Sequence, residues 1–217
     1  FLFLSGCARH NILGTTYGWD ASGVNVLGDF QISGLRVRHV RMSNSGCVSG
    51  YKDHLELHGP IGPDSTEVLE RMLSKLERCA TKDGNWVANI VYLSSGGGML
   101  ADGYKMGNLF RKYQVHTFVT GGQICASSCA VAFLGGKFRT MEYDAKLLFH
   151  SPYYSLGIGI NCMDKRNVSD LNTYFASVLD PADAKFLLDR TLSYCSVRSG
   201  WTLNRDAAKL FNVVNTP

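Results

Sequence analysis

From residue 53 onward, apolar and polar residues recur with two different periodicities, one typical of strands and one typical of helices. Residues 54–58 alternate polar and apolar side chains, which is typical of a strand buried on one face. A turn rich in Gly and Pro follows at 59–63, and Asp64 is then expected to cap a helix, with Glu67 in capping-box position. The apolar positions that come next recur at helical spacing and predict one buried helix face: Val68, Leu69, Met72, Leu73 and Leu76.

The strand-then-helix order continues to the end of the chain. Further strands are predicted at 86–93, 115–119 and 147–149, and further helices at 100–113, 127–134, 169–178, 181–191 and 204–212. A polar loop is expected at 155–168. Strands that alternate with helices indicate βαβ units, so the expected fold class is α/β with a mostly parallel sheet flanked by helices.

The first part of the chain has a weaker pattern. Residues 8–50 are rich in Gly, Ser and Asn, and short apolar runs at 24–27 and 35–40 predict the two strands of a hairpin. We therefore expect an N-terminal extension at 8–50 before a main domain at 51–217. No internal repeat or linker divides that domain.

Composition narrows the class of protein without identifying a function. The chain has 217 residues, of which 45% are hydrophobic, which is enough for one domain with a proper core. The formal net charge is +4, and the basic residues cluster once, at Arg36, Arg38, His39 and Arg41. Such a cluster could bind nucleic acid, but alternating charges on an edge strand explain it more simply, so no nucleic-acid partner is expected.

The first seven residues resemble the end of an export signal. An apolar Phe-Leu-Phe-Leu run leads into Ser5, Gly6 and Cys7, as in the bacterial lipobox, whose cysteine is lipidated. We expect residues 1–7 to be the remnant of a lipoprotein signal, with a lipid on Cys7 anchoring a periplasmic protein to the bacterial outer membrane. The alternative is a buried strand at 1–4 and an ordinary thiol at Cys7. No other stretch reaches the ~20 apolar residues of a spanning helix.

The cysteine count agrees with export. Setting Cys7 aside leaves six cysteines, which could close three disulfides in an oxidising compartment: Cys47, Cys79, Cys125, Cys129, Cys162 and Cys195. Spacing favours Cys125 with Cys129, since they bracket Ser127, while the other pairings stay open. A metal site is the weaker alternative because no Cys-x-x-Cys pair occurs, and neither a metal nor a cofactor is expected.

Three segments that carry groups able to take part in catalysis or binding follow predicted strands. The glycines at 96–98 expose backbone N–H groups that could stabilise an oxyanion, although such turns also bind phosphates. Ser127 stands at a predicted helix N-terminus, where it could be a simple cap or a nucleophile. His150 follows an apolar strand, where it could be structural or a general base. Because the carboxyl ends of parallel strands share one edge of a sheet, these groups can meet there.

Taken together, these segments resemble the proteolytic subunit of the Clp protease family (ClpP). The similarity covers about residues 53 to 217 and lies in three motifs in the same order: Tyr92-Leu93-Ser94-Ser95-Gly96-Gly97-Gly98, then Gly122-Gln123 with Cys125-Ala126-Ser127, then Leu148-Phe149-His150-Ser151-Pro152. The Cys-Ala-Ser-x-Cys element is similar to that of exported, periplasmic ClpP-like proteins. The resemblance implies the ClpP/crotonase fold, built of repeated ββα units.

The resemblance also implies serine-peptidase chemistry. By position, Ser127 corresponds to the nucleophile and His150 to the base, with Ser128 as a competing nucleophile. Gly97 or Gly98, together with Ser128, corresponds to the backbone donors of the oxyanion hole. The third triad member is missing, because the matching stretch at 197–200 holds no acid.

Other acidic residues lie in the C-terminal half of the chain. Asp170, Asp189 and Asp206 are there, but none of them aligns well with the family's acid; Asp170 is the possible third member. The missing acid normally orients the imidazole, so its absence leaves catalysis by a Ser–His pair and an inactive site both open.

Three functions are compatible with these residues. The first is an exported serine peptidase that acts on peptides or unfolded proteins. The second is an inactive relative that binds peptides or partner proteins in the same groove. The third is a crotonase-type acyl-CoA enzyme, which ranks last because CoA is a cytosolic cofactor and the cysteines indicate export. A homo-oligomer is possible in each case, since ClpP and crotonases assemble into rings or trimers.

Overall fold

The structure is a computed structural model that describes residues 10–12, 15–17, 24–155, 160–163, 168–196 and 200–216. Its strands are β1 (His10–Ile12), β2 (Thr15–Tyr17), β3 (Val24–Ile32), β4 (Leu35–Ser43), β5 (Tyr51–His58), β6 (Cys79–Ala80), β7 (Trp86–Val87), β8 (Ile90–Ser94), β9 (His116–Val119), β10 (Ile124–Ala126), β11 (Phe138–Met141), β12 (Lys146–Phe149), β13 (Tyr153–Ser155), β14 (Ile160–Cys162) and β15 (Trp201–Leu203). Its helices are α1 (Ser65–Leu73), α2 (Leu100–Lys112), α3 (Ser128–Phe133), α4 (Ser169–Val178), α5 (Pro181–Leu192) and α6 (Arg205–Leu210).

A six-stranded sheet organises the chain, in the order β11-β9-β8-β5-β4-β3. Its first four strands are parallel, while β4 and β3 run antiparallel at one end. A second sheet of three strands has the order β10-β12-β15, and β10 and β12 are parallel within it. Helix α1 packs on β4 and on α2, and α2 packs on α3. The predicted α/β class, with a mostly parallel sheet flanked by helices, is confirmed.

Most predicted elements occur, with local differences at their ends. The apolar face of α1 is buried through Leu69, Met72 and Leu73. The expected capping box is wrong, because Asp64 has a left-handed backbone (φ 66°) and its side chain makes no capping hydrogen bond. The single strand predicted at 86–93 is divided into β7 and β8. The loop predicted at 155–168 contains β14, which pairs with β13, so this stretch is partly a hairpin.

The N-terminal strands belong to the main sheet. β3 and β4 form an antiparallel hairpin around a turn at Ser33 and Gly34, and β4 also pairs with β5 along residues 36–43. The sequence instead places these residues in an extension before the main domain. The pairing makes them a continuation of its sheet.

The basic cluster on β4 is paired within the chain. Arg36 donates to Asp29 through Nε at 2.8 Å, Arg38 donates to the buried Glu56 at 2.8 Å, and Arg41 donates to the buried Asp53 at 2.7 Å. The sequence places these charges on an edge strand. Instead, β3 lies at the edge and β4 lies between two strands. Each guanidinium therefore has a carboxylate partner supplied by a neighbouring strand.

Six cysteines form three disulfides within the described residues. Cys125 pairs with Cys129, which is the pair that the spacing favours, and the others are Cys47–Cys79 and Cys162–Cys195. Cys7 lies outside the described residues, so its lipidation stays a prediction. Among the described residues, no helix is long and apolar enough to span a membrane.

His116 is expected to make the stability of the fold depend on pH. Its ring lies at the amino end of β9, where burial, and the nearby charge of Lys52, lower its pKa from 6.5 to about 4. The unfolded chain therefore binds this proton at a higher pH than the folded chain does. The resulting stability is fully present above pH 6.5 and is lost as the pH falls toward 4.

We expect the free energy of unfolding to drop by up to about 3 kcal/mol between these pH values because of His116 alone. Urea unfolding of the wild type and of His116→Gln, at half-unit pH steps from 7 to 4, measures this drop. The Gln variant should show a flatter profile. Parallel profiles for the two proteins would show that His116 is not the titrating group.

Candidate active site

Ser127 and His150 each follow one of two adjacent parallel strands. In the register of β10 and β12, Ala126 lies opposite Leu148. The Ser127 N–H donates to the Leu148 carbonyl at 2.7 Å, which ties the end of one strand to the other. The two side chains thus emerge at the same carboxyl edge, and both line one cleft of about 470 Å³.

The backbone at Ser127 has a conformation that L-residues rarely adopt. Its φ is 56° and its ψ is −124°, at the sharp turn from β10 into α3. Such geometry costs about 1–3 kcal/mol and persists only when its surroundings impose it. The Cys125–Cys129 disulfide closes around this turn from both sides. The turn leaves the Ser127 side chain partly exposed in the cleft.

Ser128 has very different surroundings from Ser127. It is fully buried, and its Oγ has no hydrogen-bond partner in the described part of the chain. It packs against Gly103 of α2, where an added Cβ would come within 2.8 Å of the Ser128 Cβ. The sequence favours Ser127 as the nucleophile and leaves Ser128 as its competitor. In the structure only Ser127 lines the cleft.

The glycine loop is pinned between two strands and the serine turn. The Ile61 N–H donates to the Gly97 carbonyl at 2.9 Å, and the Met99 N–H donates to the Ile61 carbonyl at 2.9 Å. Gly97 has φ 97°, and a Cβ there would lie 2.6 Å from the Ser127 Cβ. Glycine is therefore required at this position by both its backbone and the closeness of Ser127.

The backbone donors predicted for an oxyanion hole are not equivalent. The Gly97 N–H already donates to Ser95 Oγ at 3.0 Å. Gly98 lines the cleft beside Ser127. Ser128 is the first residue of α3, and its N–H belongs to the helix-start donors that lack a partner within a helix. Gly98 and Ser128 therefore fit the role better than Gly97 does.

His150 is oriented by a backbone carbonyl. Its Nδ1 lies 2.9 Å from the carbonyl oxygen of Ser151. Because a carbonyl oxygen can only accept, Nδ1 carries the proton in the neutral ring, and Nε2 is left as the acceptor. The Tyr153 ring lies nearby, tilted by 35° from the imidazole plane, with the two ring centroids 5.8 Å apart. This tautomer is the one that a general base acting through Nε2 needs.

Within the described residues, His150 Nδ1 bonds to the Ser151 carbonyl, and the role of Asp170 as a third member stays a prediction. Asp170 lies in the first turn of α4 and is exposed. Burial raises the pKa of Tyr104, and the charges of Asp170 and Asp102 add to this effect, which places Asp170 near that tyrosine. Residues 197–199, from the stretch that matches the family's acid, lie outside the described residues. The Ser151 carbonyl could not be predicted from the sequence, since a backbone group leaves no signal in a motif.

The rest of the cleft is apolar. Its walls come from the start of α2, from α3, β12, α4 and α5, and from the β13–β14 hairpin with the residues that adjoin it. Apart from Ser127, His150 and the glycines, the lining residues are Met99, Leu100, Ala101, Val131, Phe149, Pro152, Tyr153, Met163, Leu171 and Thr191. An extended peptide with apolar side chains suits such a surface better than a charged ligand does.

Three solved structures that resemble this fold are described as proteases or as a protease subunit. The membrane-bound stomatin-specific protease 1510-N, in a mutant form with a substrate peptide, has a TM-score of 0.54 at 15% identity, covering 73% of this chain and 70% of that chain. A mutant ClpP1 from Listeria monocytogenes has a TM-score of 0.52 at 16% identity, covering 73% of this chain and 86% of that chain. The ClpP catalytic domain from Plasmodium falciparum has a TM-score of 0.50 at 15% identity, covering 73% and 80%.

These similarities are confined to three-dimensional structure. No protein-family model matches the sequence, and no curated protein does. At these identities the comparison shows the fold alone. The chain has the α/β fold of ClpP-type proteases.

Proposed function

We propose that this chain is an exported, ClpP-like serine peptidase in which Ser127 is the nucleophile and His150 the general base. The observation that carries the proposal is their placement. Ser127 stands on a turn with φ 56°, and His150 follows the adjacent parallel strand with its Nδ1 held by the Ser151 carbonyl. Both side chains line the same apolar cleft.

The reaction would proceed through an acyl-enzyme. His150 Nε2 takes the proton of Ser127 Oγ as that oxygen adds to the peptide carbonyl carbon. The N–H groups of Gly98 and Ser128 hold the oxygen that becomes negative. The protonated imidazole then gives its proton to the leaving amine as the C–N bond breaks. Water, activated by the same imidazole, hydrolyses the ester and restores Ser127.

The Ser151 carbonyl would do only part of the work of a triad acid. It fixes the tautomer and the orientation of the imidazole, as a carboxylate does. A neutral carbonyl brings no negative charge to the imidazolium that forms during the reaction. We therefore expect turnover below that of enzymes with a complete triad.

Labelling with a fluorophosphonate probe tests the nucleophile. Attack by Ser127 Oγ on phosphorus, with loss of fluoride, should label the purified, oxidised protein, and Ser127→Ala should abolish the label. Ser128→Ala is the matched control. It should keep the label, because the Ser128 hydroxyl is buried away from the cleft.

Two outcomes would change the proposal. A folded wild type that takes up no probe would remove the activated nucleophile and leave a peptide-binding protein as the better explanation. A label that survives in Ser127→Ala and disappears in Ser128→Ala would exchange the roles of the two serines.

A second candidate function is a peptide- or protein-binding module without activity. One feature favours it: the partner of His150 Nδ1 is a neutral carbonyl instead of a carboxylate. A binding module would hold peptides in the cleft without hydrolysing them. Equilibrium binding of an apolar peptide, together with absent labelling, would support this alternative. Binding of an acyl-CoA would instead support the crotonase-type alternative.

Export and lipid anchoring remain part of the proposal. They rest on the lipobox-like residues up to Cys7 and on the three disulfides. Expression of the full-length protein in a Gram-negative host should place it in the outer-membrane fraction, and Cys7→Ser should release it into the soluble periplasm. Equal distribution of both proteins would argue against the anchor.

A further inference from the structure

The Cys162–Cys195 disulfide joins the two segments that hold Ser151. On one side, the Ser151 N–H donates to the carbonyl of Tyr194 at 2.9 Å, and Tyr194 immediately precedes Cys195. On the other side, the Ser151 hydroxyl donates to the carbonyl of Met163 at 3.1 Å, and Met163 immediately follows Cys162. Each half-cystine is therefore the immediate neighbour of a hydrogen-bond partner of Ser151.

A further bond strengthens the second side. The Met163 N–H donates to the carbonyl of Pro152 at 2.7 Å, so the end of β14 is bound to both residues that follow His150. Ser151 itself is fully buried. The N–H and the hydroxyl of Ser151 donate hydrogen bonds, whereas its carbonyl oxygen accepts one from His150 Nδ1. The orientation of the imidazole thus depends on a backbone segment held from two sides.

From this arrangement we infer that the Cys162–Cys195 disulfide positions His150, so that the reactivity of Ser127 requires this bond to be oxidised. The inference rests on the proposed function, since it assigns a positioning role within that same site. With the bond open, the hairpin and the segment after α5 separate more easily. Ser151 then loses two of its anchors, and His150 loses its fixed tautomer.

This disulfide is also the one most open to a reductant. Cys195 is exposed and Cys162 is partly exposed, whereas the four cysteines of the other two disulfides are at most 3% exposed. A dithiol can attack the bond and leave as a cyclic disulfide, giving two electrons and two protons to form two thiols. The site would therefore lose reactivity under mild reduction before the other bonds open.

A pair of matched double variants tests the inference. Cys162→Ser with Cys195→Ser opens a loop with a sequence separation of 33, and Cys47→Ser with Cys79→Ser opens one of 32. Loops of nearly equal length give similar losses of stability in the chain-entropy picture. We expect the rate of fluorophosphonate labelling to fall about 100-fold in the first variant. In the second it should stay within about twofold of the wild type.

A spectroscopic measurement reports on His150 directly. Nitrogen-15 NMR of histidine-labelled protein, with the signal assigned through His150→Gln, should show a proton on Nδ1 in the wild type and in the Cys47/Cys79 variant. The Cys162/Cys195 variant should show a mixture of tautomers. A purely structural role of the disulfide would change stability in both variants and leave the tautomer unchanged.

The outcomes separate this inference from the proposed function. No labelling of the wild type would refute the peptidase and leave the tautomer measurement to decide the inference. Labelling of both double variants at the wild-type rate would overturn the inference alone. If the Cys162/Cys195 variant does not fold, dithiothreitol titration of the wild type replaces it, with mass spectrometry counting free thiols. Full labelling after that bond alone has opened would also overturn the inference.

Discussion

Replacing His150 by alanine is expected to lower kcat/KM for peptide hydrolysis by about 10⁴-fold, with little change in KM. The reason is that Ser127 then has no base to accept its proton when it attacks. Ser127→Ala should cause a loss of similar size, and the double variant should lose little more, because the two groups act as one unit. Initial rates with a fluorogenic apolar peptide measure these losses.

The control for this experiment is another histidine variant. His116→Gln alters a ring at the amino end of its strand, whereas the cleft lies at the carboxyl ends, so it should keep wild-type activity near neutral pH. A His150→Ala enzyme that retains more than about a tenth of the wild-type rate would show that another group, or water, deprotonates Ser127. That result would leave the fold unaffected and remove His150 from the mechanism.

Arg139 is the second position where a large effect is expected. Its side chain is buried and donates to backbone carbonyls rather than to a carboxylate. Nε reaches Val213 and Nη2 reaches Asn212, each at 2.8 Å, while Nη1 contacts the carbonyls of Leu134 and Gly136 at 3.4 and 3.3 Å. Burial lowers the pKa of this guanidinium. One side chain therefore joins the C-terminal segment to the end of α3.

Arg139→Met is expected to lower the free energy of unfolding by about 3 kcal/mol or more, since several buried carbonyls lose their donor. Arg139→Lys should recover only part of this loss, because an ammonium group cannot reach four carbonyls in a fixed fork. Urea denaturation at neutral pH measures both.

An exposed arginine is the matched control for Arg139. Arg36→Met removes an ion pair with Asp29 whose side chains are 55% and 37% exposed, so solvent screening should make its loss of stability much smaller than that of Arg139→Met. Equal losses for Arg139→Met and Arg36→Met would show that the carbonyl contacts contribute no net stability.

The two serines after Cys125 show where sequence reasoning stops. Their chemistry is the same and their positions differ by one residue, so only the resemblance to the ClpP family favours Ser127, through the Cys-Ala-Ser-x-Cys element and the spacing to Gly135 and Gly136. Their difference depends on the turn at Ser127, whose φ of 56° directs one hydroxyl toward the cleft and buries the other against α2. A contact with a helix that begins 28 residues earlier (128 − 100) is a property of the folded chain.

The six paired cysteines show a similar limit. Their even number and the closeness of Cys125 to Cys129 are visible in the sequence. The partners of Cys162 and Cys47 are 33 and 32 residues away, and 15 pairings of six cysteines are possible in principle. Only the packing of the β13–β14 hairpin beside the end of α5 brings Cys162 to Cys195.

The sequence by itself determined the helices, the strands β3, β4, β5, β8, β9 and β12, the α/β class and the expected placement of Ser127 and His150 at one sheet edge. These features depend on local periodicity, on turn residues and on the geometry common to parallel strands, all of which short segments encode. The sequence did not predict β10, the strand that Ser127 follows. The tertiary structure alone decided that β3 and β4 extend the main sheet and that a backbone carbonyl orients His150. Both depend on contacts between segments far apart in the chain, and the carbonyl is a group that every residue carries.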